Sequence, residues 1–409
     1  MKKTNTTNRK IVWILGALST ITPFAIDLYL PAFSQLASDF GTNTATISLS
    51  VSSYFIGMAI GQIMYGPFLD RFGRKPPMYV GLSIFMLASF GCTLSWDVTS
   101  LVVFRFLQAL GGSVAWVGAV AMVRDFFPVE ASARIYSLLF LIIGVSPLLA
   151  PTIGGFIVTT LGWQAIFVCL IGITLIIVLF VIFYLPEGHA PDPTISVKLR
   201  PMLLTFFDIL KNPIFSKYVF AGAFSFSTLF IYVAGSPIIF MEMYHVSPKV
   251  YGGIFALLSV GFIGGGQVNI QLTKKFSSEQ IFRAALIAQV VASALFLFGV
   301  ATGLLGLYGI IAMFFICLSC LGLTNPNGNA LALAPFTRTV GSASALLGFI
   351  QIGVASLMSF GVGLFNAANA LPSVALMCAT AVIALMMLLF NRKDTHAALT
   401  PETVDNSKN

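Results

Sequence analysis

Two ionisable residues, Asp27 and Arg105, lie inside long apolar stretches of the chain, where a lipid bilayer would make a charge unfavourable. On insertion scales such a group costs at least roughly 2.5–3.5 kcal/mol at membrane depth, so its presence there usually marks a functional site. Nearly every other acidic or basic residue falls between the apolar stretches. A carboxyl group can gain and lose a proton, and a neighbouring guanidinium changes its proton affinity. An acid and a base at similar depth therefore indicate proton-coupled movement of a solute across a membrane.

The surroundings of Asp27 support this interpretation. Pro23 and Pro31 flank it and have no N–H to donate to the preceding turn, so the first helix is expected to bend around Asp27. At about 1.5 Å per residue, Asp27 and Arg105 both lie roughly 9 Å below the outer face. We hypothesise that Arg105 modulates the proton affinity of Asp27, directly or through Gln108 or water. The alternatives are a fixed ion pair or a span-end acid for Asp27, and simple helix–helix hydrogen bonding for Arg105.

The composition is that of a polytopic, all-α membrane protein. The 409 residues are 57% hydrophobic and 9% charged, with a mean hydropathy of +0.94, whereas soluble domains have about 25% charged residues. A lipid-exposed backbone must satisfy its hydrogen bonds internally, which predicts helices. Twelve spans are predicted, at about 11–33, 47–69, 77–96, 99–122, 135–159, 163–185, 214–240, 250–273, 281–302, 305–328, 341–366 and 371–391. Too few residues remain outside these spans to form a large soluble domain.

The basic residues predict the orientation of the chain. With the N-terminus in the cytoplasm, all 22 Lys and Arg residues except Arg105 and Lys249 fall on or near the cytoplasmic side. Both termini are therefore predicted to be cytoplasmic, and the dispersal of these charges argues against nucleic-acid binding. The predicted units are a six-helix bundle at 1–185, a Pro-rich central loop at 186–213, a second six-helix bundle at 214–391 and a polar tail at 392–409. Two repeated halves around a central site are typical of transporters.

A charged run, from Gly66 to Lys75, follows the second span. A tight charged turn between two helices needs Gly for its backbone angles. Asp70 lies near the end of a helix, where a carboxylate is unfavourable against the helix dipole and needs a cation. The candidate partners are Arg71, Arg74 and, from the next cytoplasmic loop, Arg124. The plainer interpretation is a basic loop that sets the topology.

This run resembles the G-x-L-a-D-R-x-G-R-K signature of the major facilitator superfamily. The matching positions are Gly66, Asp70, Arg71, Gly73, Arg74 and Lys75. Arg105 followed by Gln108 is similar to the membrane Arg of that family. The segment from Pro23 to Pro31, with Asp27 and Tyr29, resembles the drug:proton antiporters of the bicyclomycin-resistance (Bcr/CflA) branch. The resemblance implies twelve helices in two pseudo-symmetric six-helix bundles, and efflux of drugs in exchange for protons.

The fifth span is rich in small residues and prolines. Its run from Ala150 to Gly155 resembles the antiporter signature G-P-x-x-G-G, with Ala150 in place of the first Gly. Such residues let a helix bend and let its neighbours approach closely. The residues concerned are Gly144, Pro147, Pro151, Gly154 and Gly155. In the family this segment is associated with antiport; the alternative is ordinary packing by small residues.

A substrate cavity is predicted from aromatic and amide residues within the spans. These residues are Tyr54, Gln108, Trp116, Tyr232, Asn325 and Gln351. An apolar cavity with few polar groups and one acid suits amphipathic, often cationic, drugs. The alternative function is a proton symporter or facilitator for a sugar or amino acid; a membrane-embedded enzyme would need clustered acids, His or a nucleophile.

The remaining predictions concern cofactors and partners. No metal site is predicted, since Cys317 and Cys320 lie mid-span without a His or acid nearby and read as buried packing thiols. No G-x-x-x-x-G-K-[ST] run is present, so the predicted energy source is the proton gradient and not ATP. The predicted partners are protons, a small-molecule drug or metabolite and the lipid bilayer. The protein is predicted to be a monomer in the bacterial cytoplasmic (inner) membrane.

Overall fold

The computed structural model describes residues 2–127, 129–188, 190–193, 199–336, 340–364 and 369–390. All regular secondary structure within these ranges is helical. The helices are α1 (Lys2–Asp27), α2 (Phe33–Asp39), α3 (Thr44–Arg71), α4 (Lys75–Thr93), α5 (Val98–Phe126), α6 (Val129–Leu161), α7 (Gln164–Tyr184), α8 (Leu199–Leu210), α9 (Pro213–Pro237), α10 (Pro248–Leu272), α11 (Ser278–Ala301), α12 (Leu307–Leu333), α13 (Val340–Leu364) and α14 (Leu371–Phe390). A 3₁₀ turn (Leu30–Ala32) joins α1 to α2, and a π-helical turn (Ile238–Met243) follows α9.

The predicted all-helical membrane architecture is confirmed. Within the described residues, eleven helical stretches are long and apolar enough to cross a membrane, and Val145–Leu161 of α6 is a shorter apolar stretch. Each predicted span overlaps a helix, but boundaries differ by up to nine residues, since the first span was predicted to begin at residue 11 and α1 begins at Lys2. The predicted central loop contains the helix α8.

The first span differs from an uninterrupted helix. Its α-helix ends at Asp27, and the chain continues through the 3₁₀ turn into α2. The backbone hydrogen bonds there span three residues instead of four, since Tyr29 N donates to Ile26 O at 3.3 Å and Ala32 N to Tyr29 O at 3.0 Å. Pro31 has no N–H for the Asp27 carbonyl, which is the physical reason for the interruption. Pro23, by contrast, stays within α1.

Two seams join the early helices to the late ones. For description, α1–α7 are called the first half and α9–α14 the second half. Within the first half α5 packs against α3 and α4, and α1 against α6; within the second half α12 packs against α9, α10 and α11. Between the halves, α6 packs along α10 and α3 along α13.

The halves are closed against each other at one end, the predicted outer end, where α3 and α10 begin. There the Thr44 hydroxyl of α3 donates to the Glu242 carboxylate of the π-helical turn. Further along the same seam, the hydroxyls of Ser52 and Ser359 hydrogen-bond at 3.0 Å. The other end of the helix bundle is called the predicted cytoplasmic end.

Candidate functional site

Arg105 lies on α5 and is fully buried. Its Nη1 donates to the carbonyl oxygen of Ala25 at 3.0 Å and to Oε1 of Gln108 at 2.5 Å. Gln108 is oriented in turn by its Nε2, which donates to the Ser89 hydroxyl at 2.7 Å. The predicted contact between Arg105 and Gln108 is therefore present, and α5 is tied to the backbone of α1 just before its interruption.

Aromatic rings surround the Arg105 guanidinium. Its centre lies 4.5 Å from the ring of Tyr29 and 4.3 Å from the ring of Tyr54, with Phe167 at 5.9 Å. Desolvated cation–π contacts of this kind contribute about 2 kcal/mol. Nε and Nη2 of Arg105 have no hydrogen-bond partner among the described residues. The aromatic rings thus stabilise the guanidinium charge in place of an acidic side chain.

Asp27 is the last residue of α1 and is 5% exposed. Among the described residues it forms no ion pair with Arg105, whose contacts go to Ala25 and Tyr29, two residues to either side of Asp27. The 3₁₀ turn that follows Asp27 packs against α9 and α10 of the second half, the helices that carry the buried residues Tyr232 and Tyr251. A fixed Asp27–Arg105 ion pair is therefore not the arrangement that the structure shows.

The two glycines of the α6 motif are closely packed. A Cβ atom on Gly154 would overlap the carbonyl oxygen of Leu28, the residue after Asp27. A Cβ atom on Gly155 would lie 2.5 Å from the carbonyl oxygen of Pro248, at the start of α10. On the facing helix, a Cβ atom on Gly252 would lie 2.7 Å from Cα of Thr152. These small residues let α6 touch both the interruption of α1 and the second half.

The other residues of the motif, Gly144, Pro147 and Pro151, all lie within α6, which remains one continuous helix. The predicted close packing is present; a role for it in antiport stays a prediction.

At the predicted cytoplasmic end, Arg74 joins two acids. Its Nη1 lies 2.6 Å from Asp70 and its Nε 2.7 Å from Asp125, whose side chains are 48% and 11% exposed. Burial disfavours the charged form of Arg74, but hydrogen bonds and charges from Asp125 and Asp70 outweigh it and raise the pKa of the guanidinium. Gly73 has a φ of +83°, the left-handed conformation that the sequence predicted for this turn.

Two acids of this cluster were not predicted. Asp125 binds Arg74, whereas its predicted neighbour Arg124 is exposed. Glu187, from the start of the central loop, accepts from the backbone N–H groups of Arg74 and Lys75 at 2.5 and 3.1 Å, where α4 begins. In the sequence, Asp125 directly follows Arg124, and Glu187 follows the sixth predicted span. Their positions could have marked them as candidates, but the sequence does not show which groups they contact.

The remaining predicted members of the charged run are less constrained. The Arg71 guanidinium lies 5.7 Å from the ring of Phe72, and Nζ of Lys75 donates to Ile182 O at 3.4 Å. A Cβ atom on Gly66 would have nothing within 4 Å. The run therefore centres on Arg74.

The six predicted cavity residues do not form one group. Tyr54 and Gln108 contact Arg105. Tyr232 lies between the rings of Phe255 and Phe314, each 5.2 Å away, and Trp116 is half-buried on α5. Asn325 and Gln351 lie together on α12 and α13, where Gln351 Nε2 donates to Asn325 Oδ1 at 3.4 Å. Asn329, which was not predicted, completes this last group.

A sequence model of the Major Facilitator Superfamily matches residues 15–359. The chain belongs to this superfamily. It is accordingly a transporter and not an enzyme. Its membership agrees with the multi-pass helical architecture described above.

Several bacterial superfamily members resemble the chain over almost their whole length. It is 32% identical to an uncharacterized MFS-type transporter, YdgK, of Bacillus subtilis, over 91% of this chain and 93% of that protein. It is 30% identical to a bicyclomycin resistance protein homolog of Haemophilus influenzae, over 92% and 94%. The multidrug resistance protein MdtL of Escherichia coli is 29% identical, over 91% and 93%.

Solved structures share the superfamily fold. A D-xylose-proton symporter has a TM-score of 0.73 at 16% identity, covering 93% of this chain and 97% of that chain. A bacterial homolog of the human lysosomal transporter Spinster, in an inward-facing and occupied conformation, has a TM-score of 0.72 at 15% identity, covering 97% and 99%. At these identities the likeness concerns the fold alone.

Proposed function

We propose that this protein is a proton-coupled multidrug exporter of the bacterial cytoplasmic (inner) membrane, with Asp27 as its proton carrier. The observation that carries the proposal is the position of Asp27: a buried carboxyl group where α1 is interrupted, next to a 3₁₀ turn that packs against α9 and α10 of the opposite half. Exchange of external protons for internal drugs would then follow from alternating access.

The position of Asp27 supplies a physical link between its proton and the two halves. An ionised carboxylate forms stronger hydrogen bonds than a protonated carboxyl group, so the charge state of Asp27 changes the stability of the interruption whose 3₁₀ turn packs against α9 and α10. Loading a proton from the outside therefore changes the contact between the halves. In the proposed cycle the halves then rock, and the proton leaves on the inside as substrate binds.

Arg105 would act on Asp27 through α1. Its hydrogen bond to Ala25 and its contact with the Tyr29 ring hold the backbone on both sides of the carboxyl group. We propose that Arg105 thereby positions Asp27 and modulates its proton affinity.

The cytoplasmic cluster of Asp70, Arg71 and Arg74 would stabilise the outward-open state. Arg74 bonds to the ends of α3 and α5 and lies at the start of α4. It thus holds three first-half helices in one rigid surface on which the second half could close.

We further propose that the protein has twelve membrane spans in two six-helix bundles. Both termini would be cytoplasmic, and the protein would be a monomer.

The names of two relatives support export as the direction of drug transport. One relative is named for multidrug resistance and the other for bicyclomycin resistance. The alternative is a proton symporter or facilitator for a sugar or amino acid, and a xylose–proton symporter shares the fold. The two functions predict opposite directions of substrate movement relative to the proton.

Proton flux in proteoliposomes that contain a pH dye tests the proposal. A drug panel is added across a pH gradient to the wild type and to the Asp27→Asn variant. We expect drug-dependent proton release from wild type and none from Asp27→Asn. Asp208→Asn, which removes an exposed carboxylate paired with Lys211, serves as the control and should behave like wild type.

The results separate the alternatives. Full drug-dependent proton flux in Asp27→Asn would remove Asp27 from the proton path. Proton and substrate moving in the same direction, with sugars or amino acids only, would replace the exporter with a symporter.

A further inference from the structure

The helix α8 lies between the two halves along the chain, at the predicted cytoplasmic end. Two residues, Lys211 and Asn212, connect it to α9. This connection is fixed, since Lys211 N donates to Phe207 O at 3.2 Å and Asn212 N to Ile209 O at 3.1 Å. The Asn212 side chain accepts from two backbone N–H groups in the first turn of α9, at 3.0 and 3.1 Å. α8 is therefore held at the level where α9 enters the membrane.

One side of α8 is buried against the second half. Phe206 and Ile209 are both buried on this side. They belong to one hydrophobic cluster with residues of α9, α13 and α14, namely Phe215, Leu346 and Leu388. The helix packs on α9 and on α13. Because this buried side and the fixed connection both attach α8 to the second half, α8 must move with that half.

A second side of α8 is apolar and yet exposed. Leu203, Leu204 and Phe207 are 51%, 57% and 60% exposed. At about 100° per residue they occupy one sector of the helix, which is separate from the buried sector. The exposed polar residues Thr205 and Asp208 occupy the third sector. A helix with three such sides fits the membrane surface, where one side contacts protein, one contacts lipid and one contacts water.

A lysine lies at the exposed apolar sector. Lys211 directly follows α8, and its Nζ lies 4.7 Å from the centre of the Phe207 ring. The same ammonium lies 2.8 Å from Asp208, whose side chain is 71% exposed, so this ion pair is weak. An ammonium has three donor hydrogens. Lys211 can therefore bind a further anion beside the apolar sector.

The surrounding surface has an excess of positive charge. Among the described side chains at the predicted cytoplasmic end of the second half, four exposed cations accompany two exposed acids. These residues are Lys211, Lys274, Lys275, Arg283, Asp208 and Glu279. The excess opposes a cationic partner and matches the anionic phospholipids of a cytoplasmic leaflet. An acidic protein would match the charge as well, but the apolar sector at the level of the membrane surface favours lipid.

We propose that α8 docks onto the cytoplasmic leaflet and binds anionic phospholipid there. Leu203, Leu204 and Phe207 lie in the acyl boundary, and Lys211 binds the lipid phosphate. A helix docked in this way lies in the plane of the interface, with its apolar side about 5–10 Å deep. Because α8 moves with the second half, the bound lipid anchors that half at the membrane surface. The inference goes beyond the proposed function, since it depends neither on proton coupling nor on the substrate.

Fluorescence quenching on the full-length protein in nanodiscs tests this inference. A bimane label is attached to a single Cys in a background in which the five native cysteines are Ser. The labelled variants are Leu204→Cys and Phe207→Cys on the apolar side, and Thr205→Cys and Asp208→Cys on the polar side. The quenchers are iodide in water and two lipids, phosphatidylglycerol and phosphatidylcholine, that carry a nitroxide near the top of the acyl chain.

We expect the nitroxide lipids to quench the label at 204 and 207, and iodide to quench it at 205 and 208. At 204, phosphatidylglycerol should quench more than phosphatidylcholine at equal mole fraction. Lys211→Gln should lower this preference roughly fivefold, as for one cation near an anionic surface, whereas Lys211→Arg should keep it. Lys249→Gln is the matched control, because Lys249 is also exposed and lies 5.6 Å from the ring of Phe156, but at the predicted outer end.

Three outcomes would overturn the inference. Quenching by iodide at all four positions, with none by lipid, would mean that the apolar side faces the cytoplasm. Labels at 204 and 207 that neither quencher reaches would mean that protein covers this side, either a second copy of the chain or another partner. Equal quenching by the two lipids, or an unchanged preference in Lys211→Gln, would exclude recognition of the anionic headgroup.

Discussion

The substitution Gly155→Ala tests whether the α6 motif controls closure at the predicted outer end. The added Cβ atom would lie 2.5 Å from the carbonyl oxygen of Pro248 on the other half. Ordinary contacts begin near 3.4 Å, so α6 and α10 would have to separate by about 0.9 Å. Both groups are backbone-anchored, and neither can rotate away.

The energetic consequence follows from this overlap. Overpacking of a closely packed contact typically costs about 1–3 kcal/mol. The cost applies only while the outer end is closed, because opening moves α6 and α10 apart there. At about 1.4 kcal/mol per factor of ten, the ratio of outward-open to outward-closed protein should rise roughly five- to 150-fold.

Two further glycines give the experiment its controls. Gly253→Ala is the matched control, since a Cβ atom on Gly253 would have nothing within 4 Å. The adjacent Gly252→Ala should act like Gly155→Ala, because it overlaps the α6 backbone from the other side of the seam. All three replacements add one methyl group to a helix and change its propensity equally.

Spin labels at the exposed positions Ser38 and Leu304, one in each half, report the opening by their distance distribution in nanodiscs. The five native cysteines are replaced by Ser in this background. We expect a longer distance in Gly155→Ala and Gly252→Ala than in Gly253→Ala. If Gly155→Ala and Gly253→Ala gave the same distribution, the argument from close packing would be refuted.

Four more substitutions test other contacts. Asp125→Asn should destabilise the detergent-solubilised protein by about 1.5–3 kcal/mol, since it removes the charge from a hydrogen bond to Arg74 whose carboxylate is 11% exposed. Asp70→Asn should cost less, about 0.2–1 kcal/mol, because its carboxylate is 48% exposed and is screened by water; equal thermal shifts would contradict this. Arg105→Lys should abolish or shift the pH dependence of transport, because an ammonium cannot reproduce the stacked, hydrogen-bonded guanidinium; an unchanged pH profile would exclude the proposed coupling. Glu242→Gln removes a charge from beside the N-terminus of α3, and should raise the outward-open fraction about two- to fivefold in the spin-label assay; no change would show that Thr44 and Glu242 do not hold the halves together.

Much of the architecture is encoded locally, and the sequence therefore predicted it. A span is an apolar stretch of sufficient length, so each predicted span overlaps a helix, although some boundaries are displaced by five to nine residues. The interruption of α1 at Asp27 follows from the missing N–H of Pro31. The left-handed conformation of Gly73 follows from a tight turn between two spans. Asp27 and Arg105 were identified because an ionisable side chain within an apolar span is energetically unfavourable. Their positions within the spans can be counted in residues from the ends of those spans.

The tertiary structure decided which of these residues meet. Depth placed Asp27 and Arg105 together, but packing directs Arg105 to the Ala25 carbonyl, and the two residues form no ion pair among the described residues. Likewise Asp125 and Asn329 gained their roles only through contacts between helices. Hydropathy reports that a helix is buried in lipid, whereas its rotation and neighbours are set by packing against other helices. The sequence by itself therefore determined the apolar helices and the charges that lie within them, and packing determined the partners of those charges.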